Sequence, residues 1–111
     1  SQMIDKMNIF QQNYYIKIGT INYFPFLGSF IFSGNKHLLG ETQNQILCSL
    51  VCFKEGIKKK ILYETIWPRD KNISENKLDT HLTNLRNHIL AICNYKLNFK
   101  TQKGFISLDI K

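Results

Sequence analysis

The hydrophobic period of this chain changes twice, and the order of the changes restricts its architecture more than any other feature. From Tyr14 to Leu39, aromatic and β-branched runs (YYIKI, GTINYF, GSFIFS, KHLL) are separated by Gly19, by Pro25 to Gly28 and by Ser33-Gly34-Asn35. Such runs between turn formers read as three or four short antiparallel strands. From Glu41 to Ile92 the apolar spacing becomes helical. After Leu97 it returns to strands, LNFKT and FISLDI, with a turn at Gln102-Lys103-Gly104. That last pattern is a β-hairpin with a basic tip. A sheet, three helices and a hairpin make an α+β chain, and a helix pair followed by a hairpin describes a winged helix-turn-helix.

The first helix turns Ile46, Leu47, Leu50 and Val51 inward and ends near Lys54-Glu55-Gly56, with glycine as terminator. The second runs from about Lys58 to Trp67, with Ile61, Leu62 and Ile66 as its buried set, and Pro68 stops it. A polar loop then leads to the third helix, Ser74 to Ile92. There Leu78, Leu82, Leu85 and Ile89 fall at i, i+4, i+7 and i+11 and form one apolar stripe. Ser74 is the expected N-cap, with Glu75 and Asp79 early in the helix, where its dipole favours acids.

The face opposite the stripe carries Asn76, Thr80, Thr83, Asn84 and Asn87. A solvated helix surface usually carries Glu and Lys, which are better helix formers. Asn and Thr bear a propensity cost, and their side chains hydrogen-bond base edges. Lys77, His81 and His88 flank this face on one side and Arg86 on the other, so phosphate donors border candidate base readers. The competing explanation is an ordinary amphipathic surface helix in an Asn-rich chain.

Charge weighs on that choice. The chain carries a formal +7, which points to an anionic partner. Residues 1–53 hold three lysines against two acids, whereas residues 54–111 hold twelve basic residues against six acids. The excess therefore lies in the half that contains the third helix. With 111 residues the chain makes one domain. Residues 1–13 show no clear period and read as a linker or tail, leaving 14–111 as the folded unit. No apolar run approaches the roughly 18 residues of a membrane helix, and no signal-peptide pattern opens the chain. The cysteines, Cys48, Cys52 and Cys93, are odd in number and lie in expected helices, so they read as reduced, partly buried small hydrophobes in a cytoplasmic protein. No metal set and no cofactor is expected. His37, His81 and His88 lack any nucleophile–base–acid spacing, and no glycine-rich phosphate loop is present, so the chain is not expected to be an enzyme.

From Tyr14 to Ile110 the sequence resembles the C-terminal effector domain of OmpR/PhoB-type response regulators. LLGETQNQILCSL resembles the opening of that family's first helix, with Gly40 in place of the usual Thr cap. ILYETIW, ending in Trp67, resembles the end of its second helix. LDTHLTNLR, from Leu78 to Arg86, resembles its recognition-helix signature, and TQKGFISL, from Thr101 to Leu108, its wing. The wing departs in having Lys103 for the usual Arg, in lacking the second Gly and the Tyr, and in being about one residue shorter. Thr83 and Asn84 stand where the family commonly has basic, base-reading residues.

The resemblance implies a bacterial two-component transcription regulator that binds double-stranded DNA. The third helix would enter the major groove and the wing, 97–110, would meet the backbone or minor groove. Trp67, His81, Arg86 and Thr101 match positions that hold the DNA backbone, and Lys77 and Lys103 join them by charge. Thr80, Thr83, Asn84 and Asn87 are the expected base readers. The loop containing Arg69, Asp70, Lys71 and Asn72 matches the place where RNA polymerase is contacted. A receiver domain normally precedes such a unit, so the chain is expected to be an excised effector domain rather than a stand-alone relative. A second copy on DNA is left open. The alternative function, which suits the uncharged Thr83-Asn84 pair, is a winged-helix adaptor that binds protein and has little DNA affinity.

Overall fold

The structure, a computed structural model, describes residues 13–110. The linker or tail expected over 1–13 lies outside the described residues except for its last position. Four short strands, β1 (Ile16–Ile18), β2 (Ile21–Phe24), β3 (Ser29–Phe32) and β4 (Asn35–Leu38), form an antiparallel meander in chain order. The β3–β4 turn holds Ser33 and Gly34 at φ of 50° and 79°, the left-handed pair whose twist matches the flanking strands. Alternation places Ile18, Ile21, Tyr23 and Phe30 in the core.

Helix α1 (Glu41–Cys52) joins these residues through Ile46, Leu47, Leu50 and Val51, the face its spacing predicts. Its first turn lacks a capping side chain because Gly40 has none, but the Gln43 Oε1 accepts the Gly40 N–H at 3.4 Å. Sheet and helix are pinned by Tyr23. Its hydroxyl donates to Asn44 Oδ1 at 2.6 Å, and Asn44 Nδ2 donates to the Pro25 carbonyl at 3.2 Å. Burial pushes the Tyr23 phenol far above its ordinary pKa.

The helix ends before Gly56, which serves instead in a turn, at φ 112° with its N–H on the Phe53 carbonyl at 2.9 Å. That turn feeds β5 (Ile57–Lys58), a strand the hydrophobic pattern does not predict. Helices α2 (Lys59–Ile66) and α3 (Glu75–Cys93) follow, then β6 (Phe99–Gln102) and β7 (Phe105–Leu108). The expected hairpin is thus two strands of a three-stranded sheet in the order β5-β7-β6. Leu78, Leu82, Leu85 and Ile89 of α3 share one core with α1, the meander, and Leu97, Ile106 and Leu108 near the wing.

Three local expectations change. Helix α2 buries Leu62 and Tyr63, while Ile61 is 48% exposed; a two-turn helix has too few apolar positions to define its face, and the Tyr63 hydroxyl finds partners that permit burial. Ser74 sits at the N-cap of α3, but its hydroxyl makes no capping bond, and its carbonyl takes the Lys77 N–H at 3.1 Å. Of the cysteines, Cys93 is buried, Cys48 half-buried and Cys52 exposed. Among the described residues no helix is long and apolar enough to cross a membrane.

Candidate nucleic-acid interface

The stripe that roots α3 in the core leaves Asn76, Thr80, Thr83, Asn84 and Asn87 exposed along the opposite side. Asn76, Asp79, Thr80, Thr83 and Asn84 line one shallow depression. The Thr80 hydroxyl donates to the Asn76 carbonyl at 2.8 Å, which leaves its lone pairs to accept from a partner. Asp79 would repel an anion here, but Lys59, the first residue of α2, holds its carboxylate at 3.0 Å.

The flanking residues form a connected cluster at the turn between α2 and α3. The Trp67 ring lies 4.8 Å from that of Tyr63 and 5.1 Å from that of His81, and Lys77 Nζ sits 4.4 Å from the Trp67 ring centroid. Lys77 also pairs with Asp70 at 3.3 Å. Asp70 accepts the Tyr63 hydroxyl at 2.5 Å and the Asn72 N–H at 3.1 Å. The Tyr63 hydroxyl, then the Asn72 N–H and Lys77 hold the Asp70 carboxyl below its usual range, and the bond to Asp70 raises Tyr63 in turn. Trp67, Lys77 and His81 are therefore brought together, and Asp70 is committed to the loop's own bonds. Arg69, Lys71 and Asn72 remain exposed. Arg86 stands half-buried on the other flank. His88, expected on the flank of Lys77 and His81 as a phosphate donor, turns to the interior: its Nδ1 lies 3.0 Å from Gln43 Oε1, and its ring meets Phe30 edge-on.

In the wing, Lys103 and Gly104 make a two-residue turn with φ of 53° and 79°. Thr101 and Lys103 are both exposed. The tip is not a free arm, because the Gly104 carbonyl accepts the N–H of Lys59 at 2.9 Å. Pairing of Lys58 with Phe105, and of Phe105 with Gln102, sets these three side by side on the outer face. The sequence pattern singled out neither Lys58 nor Phe105. The turn length fixes the register that sets Phe105 beside Gln102, whereas the pairing of Phe105 with Lys58 joins strands far apart in sequence and has no local signal.

No family model and no curated protein matches the chain. Solved structures do. The DNA-binding domain of E. coli CadC superposes with a TM-score of 0.72 at 14% identity, covering 90% of this chain and 95% of that one. The C-terminal domain of the nisin resistance regulator NsrR, a lantibiotic response regulator, gives 0.60 at 25% identity, covering 83% and 93%. The meander, three helices and wing are the α+β winged-helix fold of OmpR/PhoB-type effector domains, as the sequence resemblance implied.

Proposed function

We propose that this domain, residues 14–111, binds double-stranded DNA with sequence specificity, as the cytoplasmic effector unit of a two-component transcription regulator. The observation that carries the proposal is the outward side of α3: a row of uncharged hydrogen-bonding side chains bordered by cations, on a helix the core holds rigidly. Of the structural neighbours, the first is described as a DNA-binding domain and the second as the C-terminal domain of a response regulator. In the proposed complex α3 lies in the major groove. Asn84 and Asn87 are suited to bidentate contact with adenine, and the methyls of Thr80 and Thr83 to thymine. Trp67, Lys77, His81, Arg86, Thr101 and Lys103 hold the backbone and fix register. The exposed Arg69, Lys71 and Asn72 would meet RNA polymerase, with Asp70 shaping their loop rather than touching the partner. No catalytic step is assigned to the domain.

Two substitutions separate readers from positioners. Asn84 has no charge, so its contribution must come from particular bases: Asn84→Ala should lower affinity for the preferred site by about 1–3 kcal/mol and leave random DNA and the salt slope nearly unchanged. Lys103→Ala should weaken specific and random DNA alike and reduce the salt slope by about one unit. The preferred site is obtained by selecting bound duplexes from a random pool. Failure to enrich any sequence, with negligible duplex affinity across a salt series, would favour the adaptor function, for which the uncharged Thr83-Asn84 pair is the supporting feature.

A further inference from the structure

The duplex contacts proposed above include Lys103 at the tip of the wing but none of the side chains on the outer face of its sheet. Ile57, Ile106 and Leu108 fill the side toward the core, so the register turns Lys58, Phe105, Ser107, Gln102 and Lys100 to the other. Phe105 lies at the centre of this face, 40% exposed, with Lys58 Nζ 5.9 Å from its ring centroid. Lys100, Gln102, Lys103, Phe105 and Ser107 line a shallow depression with Glu55 at its rim. Lys58, Lys100 and Lys103 outnumber the acids here, Glu55 and the Asp109 that pairs with Lys100 at 3.4 Å.

An aromatic ring set among lysines on an open sheet is a combination suited to stacking a base while its phosphates are held. The bases of a duplex are already stacked on one another and present only their edges. An unpaired base has a free face and can lie flat on the sheet.

We propose that this face binds single-stranded nucleic acid. One unpaired base stacks on Phe105, while Lys58 and Lys100 neutralise the neighbouring phosphates and Gln102 meets the base edge. The activity is separate from duplex recognition and does not require it.

The test uses an oligothymidylate of about 8 nucleotides, whose bases stack weakly on one another. In Phe105→Trp, the emission added to that of Trp67 should be quenched saturably by the oligomer. Phe105→Ala should weaken single-strand affinity about tenfold or more while duplex affinity and melting temperature stay as in the unaltered chain; Phe105→Tyr, which keeps the ring, should retain binding. Asn84→Ala should show the reverse pattern, losing preferred-duplex affinity only. The proposal is overturned if the unaltered chain shows no saturable single-strand binding, or if Phe105→Ala leaves that binding intact. It is also overturned if Phe105→Ala weakens duplex binding equally, which would lay the face along a duplex backbone. Loss of duplex recognition alone would sink the function proposed for α3 and leave the wing face standing.

Discussion

Tyr23 shows how one hydroxyl sets the seat of the meander on α1. It is fully buried, and its O–H is satisfied by Asn44, whose amide serves Pro25 in turn. Tyr23→Phe removes the donor but leaves Asn44 Oδ1 without it, so it should cost about 1–3 kcal/mol in urea unfolding. A loss near zero would mean water replaces the hydroxyl. Asp70 offers a test by pH. Its folded pKa is depressed, chiefly by the Tyr63 hydroxyl, below an unfolded value near 4. A depressed acid adds stability above its unfolded pKa and loses it as pH falls through the folded one. The chain should therefore melt higher than Asp70→Asn at neutral pH, with the gap closing below about pH 5. A gap constant down to pH 2 would assign the effect to shape rather than charge. The thiols of Cys48 and Cys93 are pushed up by burial, which disfavours the reactive thiolate. Replacing Cys48 and Cys52 together by Ser should leave DNA affinity equal with and without reductant.

Among the elements, α3 was the most legible in sequence and β5 the least. Nineteen residues give α3 enough turns for its apolar stripe to be unambiguous. Leu82 is only 7% exposed within that stripe, so Leu82→Ala should cost roughly 2–5 kcal/mol; an unchanged melting temperature would mean the helix faces the other way. The hairpins were visible because Ser33-Gly34 and Lys103-Gly104 stand between apolar runs. A two-residue strand such as β5 has no period of its own, and only the distant β7 makes it a strand. In the same way the Tyr63 partner, Asp70, lies beyond the end of α2, so periodicity favoured Ile61. On the candidate interface, pattern separated the exposed row of α3 from its stripe, but not Lys77 and His81, which Trp67 gathers, from His88, which Gln43 and Phe30 draw inward. Those assignments depend on contacts between elements, to which periodicity along one helix is blind.

At the scale of the whole molecule, the ends of the domain are stitched together at Gly19. Its φ is positive, and a Cβ there would run into the Tyr95 ring just beyond α3. Gly19→Ala should destabilise by more than about 1 kcal/mol, and part of the loss should be recovered in the double variant with Tyr95→Ala, since the clash is removed and the backbone strain is not. Full additivity would deny the contact. The pairing of Ile57 with Ile106 has a consequence in time. Each strand of the meander closes on its neighbour through a short loop, whereas β5 meets β7 only after α2, α3 and β6 have been laid between them. Chain closure over that span carries a larger entropic cost and is slower. The meander with α1 is thus placed to organise early in folding and the wing late. In a pulse-labelled refolding experiment the Lys59 amide, which is bonded to Gly104, should gain protection together with Ile106 and after Tyr23, marking the moment at which the wing becomes part of the helix-turn-helix.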